Sequence, residues 1–192
     1  MLVAVYGGSF NPPHLGHQLA CATVLAAARP SVDEVWMVPA FAHAFGKPLA
    51  PFADRLAMCE TVARLFGGRV RVSRVEEELG GPSYTLRTLE ALEARHPAMG
   101  FVLVIGADLL DERPRWHRWP ELAARARFLV LGRSGAEAVA GDRGAQDTRI
   151  PIDLPEVSST EARRRLAAGE DTAGLLDEEV RRQALAAGLY RA

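Results

Sequence analysis

The feature that most constrains the fold is a series of short, continuous apolar runs separated by longer segments of helical period. Runs that are apolar at every position suit strands buried on both faces, as in a parallel sheet. The predicted strands are Leu2–Tyr6, Val35–Val38, Val70–Val72, Phe101–Ile105 and Phe128–Leu131. Right-handed crossovers place the connecting helices on both faces of such a sheet. We therefore predict a doubly wound, Rossmann-like α/β fold with a parallel sheet.

The segments between these runs carry an apolar residue near every third or fourth position, which predicts amphipathic helices. They are Leu15–Ala28, Phe52–Phe66, Leu86–Ala94 and about Trp119–Ala126. Residues 132–147 are rich in glycine and small side chains, so we predict an irregular surface stretch there. An extended piece near Ile150–Leu154 follows, with helices from about Thr160 and over Glu178–Ala187. A chain of this length is expected to form a single domain, residues 1–192.

Composition narrows the classes of partner. A net charge of -1 gives no broad electrostatic reason to bind nucleic acid or a membrane surface, so a small-molecule partner is expected. Cys21 and Cys59 lie far apart in apolar stretches, which indicates two reduced, buried thiols and not a disulfide framework. With no signal segment and no apolar run of spanning length, we expect a cytoplasmic protein. The sequence leaves the oligomeric state open, a homo-oligomer included.

The stretch GGSFNPPHLGH, residues 7–17, follows the first strand without a spacer. Ligands bind beyond the carboxyl ends of the strands in open parallel sheets, so this stretch is predicted to line the site. Gly7 and Gly8 allow a sharp turn, and a helix starting near His14 would present free N–H groups to an anion such as phosphate. His14 and His17 are one turn apart, so both imidazoles can reach one bound group.

The alternative explanation of this stretch is plain turn chemistry with two surface histidines. A zinc site is disfavoured because no third or fourth ligand lies nearby in sequence, and no metal site is predicted. The spacing also differs from the Walker loop and from G-x-G-x-x-G, which argues against a Rossmann oxidoreductase.

The stretch resembles the signature of nucleotidyltransferases with an H-x-G-H motif, which His14-Leu15-Gly16-His17 matches residue for residue. The resemblance implies that both histidines contact the phosphates of a nucleoside triphosphate. It further implies ATP-binding residues on the same turn, namely Gly7, Gly8, Ser9 and Phe10. In such enzymes a phosphate of the acceptor attacks the α-phosphate and pyrophosphate leaves without a covalent enzyme intermediate. Mg²⁺ is then expected to arrive with ATP, bound mainly by its phosphates.

A second stretch, VSSTEARRRL, supports this resemblance. Ser158 and Glu161 fit a capping box, which by itself predicts a well-capped helix. The resemblance includes the signature S-S-T-x-x-R, which Ser158, Ser159, Thr160 and Arg163 reproduce. It implies that this helix start holds the β- and γ-phosphates, and an arginine there would stabilise charge on departing pyrophosphate.

The acceptor side is predicted from the middle of the chain. Trp116 and Trp119 are spaced like core residues, although their polar surroundings leave one indole available to a ligand ring. Residues 83–85 suit either a helix cap or a small anion site. Lys47, a lone lysine, is explained either by chance or by a role in binding phosphate. G-x-D followed by W-x-x-W, an S-Y-T segment and a closing G-L-Y resemble the mononucleotide adenylyltransferases of NAD synthesis.

That resemblance covers nearly the whole chain and assigns roles to further residues. Gly106, Asp108 and Arg133 would serve ATP, and Lys47 would take part in catalysis. The implied acceptor-binding residues are Lys47, Arg55, Ser83, Tyr84, Thr85, Trp116 and His117, with Trp116 stacking on a pyridine ring. The implied acceptor is nicotinate mononucleotide. Nicotinamide mononucleotide is the alternative, as is a related transferase acting on pantetheine phosphate; a regulatory module that has lost catalysis is a rival of another class.

Two segments depart from the family pattern. The usual S-Y-T-x-D-T-L has Arg87 in place of aspartate, and the usual P-P-H-K reads His43-Ala44-Phe45-Gly46-Lys47. Both lie on the acceptor side, so they bear on the choice between nicotinate and nicotinamide mononucleotide.

Overall fold

The parallel sheet is the frame on which every other element is placed. The computed structural model describes residues 1–132, 146–152 and 157–191. Its six strands, all parallel in their pairings, are β1 Leu2–Gly8, β2 Glu34–Pro39, β3 Val70–Val72, β4 Gly100–Gly106, β5 Arg127–Gly132 and β6 Gln146–Pro151. Their order in the sheet is β3-β2-β1-β4-β5-β6, so the direction of chain progression reverses between β1 and β4. This reversal creates the crevice where ligands bind in such sheets.

Helices cover both faces of the sheet, as the sequence predicted. They are α1 Leu15–Ala27, α2 Phe52–Arg64, α3 Val75–Leu79, α4 Thr85–Arg95, α5 Trp119–Arg125, α6 Ser159–Ala168 and α7 Glu178–Ala186. Alternate residues of one strand enter different cores, because side chains of a strand alternate between faces. Ala4 packs with α1, α2, α6 and α7, whereas Val3 and Val5 pack with α4 and α5.

Two elements were missed by the sequence patterns. The five-residue α3 is too short to show a helical period, and a 3-10 helix over Ala107–Arg115 contains Pro114, so it resembled a polar loop. The prediction of an irregular stretch over 132–147 was wrong at its ends, because Gly132 closes β5 and β6 begins at Gln146. The extended piece therefore lies earlier than predicted.

Both cysteines, Cys21 and Cys59, are free and buried, as predicted. No described helix combines the length and apolar character needed to cross a bilayer.

An ion pair fixes the 3-10 helix to the sheet. The Arg113 side chain, 7% exposed, donates from Nη1 to both carboxylate oxygens of Asp147 on β6, at 2.9 and 3.0 Å. Its guanidinium also lies over the rings of Trp119 and Phe128, at 5.2 and 5.3 Å from their centroids. This anchor matters for the site because the 3-10 helix begins at the end of β4.

We expect Asp147→Asn to lower the free energy of unfolding by about 2 kcal/mol, because it leaves the Arg113 charge buried without a counterion. This loss is smaller than that expected for a fully buried ion pair, because the Asp147 side chain is 25% exposed. Urea unfolding would measure it. The matched control is Glu90→Gln, which removes a surface pair to Arg125 at 3.9 Å and should cost less than about 0.5 kcal/mol. Equal losses in the two variants would contradict the anchoring role.

Candidate active site

His14 and His17 lie directly beyond the carboxyl end of β1, at the start of α1. Their ring centroids are 3.7 Å apart, so both imidazoles face one region, as the sequence predicted. The His17 Nδ1 accepts a hydrogen bond from the His14 backbone N–H at 3.0 Å. A neutral imidazole that accepts at Nδ1 carries its proton on Nε2. His17 therefore offers a donor at Nε2.

Packing holds the two rings in place. The Phe10 ring is fully buried and lies 4.9 Å from the His17 ring, which leaves only the Phe10 backbone for the predicted contact with ATP. A Cβ on Gly16 would lie 3.0 Å from the His14 ring, so glycine lets this imidazole fold back over the helix start. This close approach is a physical reason for the glycine between the two histidines.

Burial keeps both imidazoles neutral. It lowers the pKa of His14 to about 4. It lowers the pKa of His17 well below the ordinary range, and repulsion from His14 adds to the effect. At neutral pH the pair therefore presents hydrogen-bond donors and no positive charge.

The prediction of free N–H groups at the start of α1 was largely wrong. The Leu15 N–H donates to the Leu175 carbonyl at 2.9 Å, and the His17 N–H donates to the His14 carbonyl at 2.9 Å. The chain segment before α7 thus occupies part of the predicted anion site. In the first turn, Gly16 alone keeps an amide without an assigned acceptor in the described part of the chain.

The start of α6 packs against the same loop, 147 residues away in sequence. The Ser159 hydroxyl donates to the Pro12 carbonyl at 2.9 Å, and Arg163 Nη1 donates to the Asn11 carbonyl at 2.8 Å. Arg163 therefore lies close to the histidine-bearing loop, and the two signatures predicted to share one ligand meet at one edge of the sheet.

Two hydroxyls at the start of α6 have local partners. Ser158 Oγ accepts the Glu161 N–H at 3.1 Å, as the capping box predicts, and Thr160 Oγ1 accepts from Arg163 at 3.2 Å. The Ser159 and Thr160 backbone N–H groups have no acceptor among the described residues. This helix start, more than that of α1, offers open amides for an anion.

Gly106 and Asp108 stand next to this edge, at the end of β4. A Cβ on Gly106 would lie 2.2 Å from Asp108 Oδ1, so glycine allows the carboxylate to fold back over the strand end. Gly7 and Gly8 are the last residues of β1 and are not buried, although the Gly8 carbonyl already accepts the Ala40 N–H at 2.9 Å. Ser9 follows them, with its carbonyl accepting from Arg55. The predicted ATP ligand Arg133 lies outside the described residues.

A cavity of about 470 Å³ lies between the segment after β2 and the start of α2. Lys47, His43 and Arg55 contribute to its lining. Arg55 is 1% exposed and donates to three carbonyls, those of Ala50 at 2.9 Å, Ser9 at 2.9 Å and Phe41 at 3.4 Å. It ties three segments together at this cavity, while its predicted contact with an acceptor remains a prediction, as does that of Lys47.

The other predicted acceptor residues gather around the start of α4. Tyr84 precedes Thr85, the first helical residue, and its ring stacks on the His117 imidazole with centroids 4.3 Å apart. The Ser83 hydroxyl accepts the Phe41 N–H at 2.9 Å, which joins this segment to the one after β2. Trp116 is partly exposed at the end of the 3-10 helix, whereas Trp119 is buried in the core. One tryptophan is thus available to a ligand and one is not.

Arg87, the departure from the family pattern, has a structural partner. Its guanidinium donates to the carbonyls of Gly80 at 2.8 Å and Leu79 at 2.7 Å, at the C-terminal end of α3. Cations there satisfy carbonyls that the helix leaves unpaired. The substitution is therefore explained by the capping of α3.

Sequence patterns missed the contact between Asn11, in the loop that carries the histidines, and Tyr190. Asn11 is 5% exposed, and its carboxamide oxygen accepts from the Tyr190 hydroxyl at 2.8 Å. Both lie inside quoted motifs, GGSFNPPHLGH and the closing G-L-Y, but nothing in sequence indicates that residues 179 positions apart are in contact.

Comparison with known proteins agrees with this arrangement. The family model described as "Cytidylyltransferase-like" matches residues 5–165. A probable nicotinate-nucleotide adenylyltransferase of Anaeromyxobacter dehalogenans (strain 2CP-1) is 47% identical over 192 residues, covering 98% of this chain and 96% of that protein. The protein of the same name from Myxococcus xanthus is 40% identical, covering 98% and 94%.

Solved structures support the fold. The Plasmodium falciparum nicotinic acid mononucleotide adenylyltransferase complexed with NaAD aligns with a TM-score of 0.84 over 98% of this chain and 97% of that one, at 20% identity. The match to the family model and the identity to full-length relatives place the chain in the cytidylyltransferase-like family, among the nicotinate-nucleotide adenylyltransferases.

Proposed function

We propose that this enzyme joins the adenylyl group of ATP to nicotinate mononucleotide, giving nicotinate adenine dinucleotide and pyrophosphate, a step of NAD biosynthesis. The observation that carries the proposal is that Arg163 bonds to the loop that carries His14 and His17, next to the point where the strand order reverses between β1 and β4. Relatives that match the full chain carry the name of this activity. A structural neighbour is described in complex with NaAD, the product of the same reaction.

The proposed mechanism needs positioning and charge stabilisation, and no covalent enzyme intermediate. The acceptor phosphate attacks the α-phosphorus of ATP, the bond to the bridging oxygen of the β-phosphate breaks, and pyrophosphate departs. The neutral imidazoles of His14 and His17 would donate hydrogen bonds to phosphate oxygens. Arg163 and the open amides of Ser159 and Thr160 would stabilise charge on the leaving pyrophosphate.

Magnesium is proposed to enter as part of the ATP substrate. No group of three or more histidine, cysteine, aspartate or glutamate side chains in described positions could form a metal cage. Magnesium commonly keeps several waters and binds through substrate phosphates, so it needs few ligands from the protein.

Acceptor binding is proposed for the cavity beside Lys47 and for the Trp116 and His117 region.

The first test is pyrophosphate release from ATP and Mg²⁺ with each acceptor offered separately. We expect turnover with nicotinate mononucleotide to exceed turnover with nicotinamide mononucleotide or pantetheine phosphate.

His17→Ala should lower kcat by roughly 100-fold, the scale for losing one preorganised donor. The control is His96→Ala, because the His96 ring contacts Trp36 on the other face of the sheet. Its kcat should stay within about twofold of the wild-type value. A loss below tenfold for His17→Ala would refute its phosphate role.

The neutral state of His14 predicts a pH-dependent stability. Its pKa is about 4 in the folded protein and 6.5 ordinarily, so between these values the unfolded chain binds a proton that the folded chain does not. The free energy of unfolding should therefore fall as pH drops from 6.5 towards 4, and His14 should contribute no slope above 6.5. Urea unfolding of His14→Asn should show a flatter dependence in that window. An unchanged slope would contradict burial of the neutral imidazole.

Arg87 is expected to have no part in acceptor choice, because its guanidinium is bonded to the end of α3. In Arg87→Ala the ratio of kcat/KM for the two pyridine mononucleotides should stay within about twofold of the wild-type ratio. The free energy of unfolding should fall by about 1 kcal/mol, as for loss of modest hydrogen bonds. A tenfold change in the ratio would instead place Arg87 in acceptor recognition.

A further inference from the structure

Asn11 connects three segments of the site through one side chain and one carbonyl. Its Oδ1 accepts the Tyr190 hydroxyl at 2.8 Å and the Ala50 backbone N–H at 3.1 Å. Its backbone carbonyl accepts Arg163 Nη1 at 2.8 Å. The loop that carries the histidines is thereby bonded to the segment that carries Lys47, to α6 and to the C-terminal turn. Asn11 itself is 5% exposed, so these bonds are largely shielded from water.

The C-terminal turn is shaped so that it brings Tyr190 to this position. After α7 the chain reverses, with the Leu189 N–H donating to the Ala184 carbonyl at 2.9 Å. Gly188 and Tyr190 have φ of 65° and 61°, a region that is uncommon for a residue with a side chain. The turn is fixed on α2 by packing of α7 and by the hydrogen bond of Gln183 Nε2 to Thr61 Oγ1 at 2.8 Å.

The Tyr190 hydroxyl keeps its proton at neutral pH and is therefore a hydrogen-bond donor. Burial raises its pKa above the ordinary value, against a smaller opposite effect of Arg163 and Arg55. Because Asn11 Oδ1 is an acceptor, it is complementary to the two donors that reach it. The same Ala50 is held on its other side, since its carbonyl accepts Arg55 Nε at 2.9 Å.

We propose that Tyr190 is a positioning residue for adenylyl transfer, which acts through Asn11 to fix the phosphate-binding loop relative to the segment that carries Lys47. This inference rests on the proposed function, because the two loops matter together only if each binds one of two reacting substrates. One such hydrogen bond contributes little to stability. A misplacement of about 1 Å between reacting groups, in contrast, can cost up to 100-fold in rate.

The test is Tyr190→Phe, which removes one oxygen and keeps the ring. We expect kcat to fall by roughly tenfold while the KM values for ATP and the acceptor change by less than about twofold. The matched control is Thr61→Val, which removes the hydrogen bond between α7 and α2 but leaves Asn11 untouched. Its kcat should equal that of the wild type. Equal losses of kcat in both variants would mean that weaker docking of α7 causes the loss, and they would overturn the proposal.

A double-mutant cycle checks that Tyr190 acts through Asn11. Asn11→Ala should lower kcat more than Tyr190→Phe does, and the double variant should be no slower than Asn11→Ala, because both changes break the same link. If the kcat losses of the two single variants multiply in the double variant, the proposal is overturned. If Asn11→Ala does not fold, Asn11→Ser, which is too short to bridge both donors, takes its place in the cycle.

Amide hydrogen exchange gives a readout that does not depend on activity. The Ala50 amide, bonded to Asn11 Oδ1, should exchange faster in Tyr190→Phe than in the wild type and in Thr61→Val. If the wild type releases pyrophosphate and Tyr190→Phe has the same kinetics as the wild type, the inference is overturned and the proposed function stays intact. A wild type without pyrophosphate release would refute the proposed function and the catalytic consequence, and unchanged Ala50 exchange would further refute the link to Tyr190.

Discussion

The docking of α6 on the loop after β1 is the interaction on which the rest of the site depends. Bonds from Ser159 and Arg163 to the carbonyls of Pro12 and Asn11 bring together two segments from opposite ends of the chain. The carbonyls of an irregular loop have no sheet partner, and side-chain donors satisfy them. The bonds that complete the loop therefore also place an arginine near two imidazoles, so the structure of the loop and its chemistry share the same contacts.

Burial then decides how these groups act. The His17 imidazole is enclosed by Phe10, Tyr6 and His14, and burial keeps both His14 and His17 neutral, so they serve as fixed donors. Positive charge comes instead from Arg163, which is partly exposed, and from the helix dipole of α6. Glycines at positions 16 and 106 allow His14 and Asp108 to fold back over the backbone. Preorganised donors of this kind need little rearrangement when a phosphate arrives.

Much of the fold could be predicted from the sequence. Continuous apolar runs gave the first five strands to within one or two residues, and apolar periodicity gave the long helices, because burial on the sheet imposes both patterns. The short α3 and the 3-10 helix with Pro114 carry no such period. For the site, the motifs predicted that residues 14–17 and 158–163 share one ligand, and their convergence is present in the structure. Most of the free amides expected at the start of α1 were not found; the Leu15 N–H, for example, is bonded to the Leu175 carbonyl, which comes from a segment 160 positions away.

The sequence by itself determined the parallel sheet, the position of the histidines at the exit of β1 and the likeness to the mononucleotide adenylyltransferases. These properties are encoded locally, in runs and motifs of a few adjacent residues. Only the tertiary structure decided which donors remain open, that Arg87 caps α3, that Arg55 bonds three carbonyls and that Tyr190 reaches Asn11. Each of these depends on which side chain satisfies a particular unpaired backbone or amide group, and that pairing is fixed by packing between segments far apart in the chain.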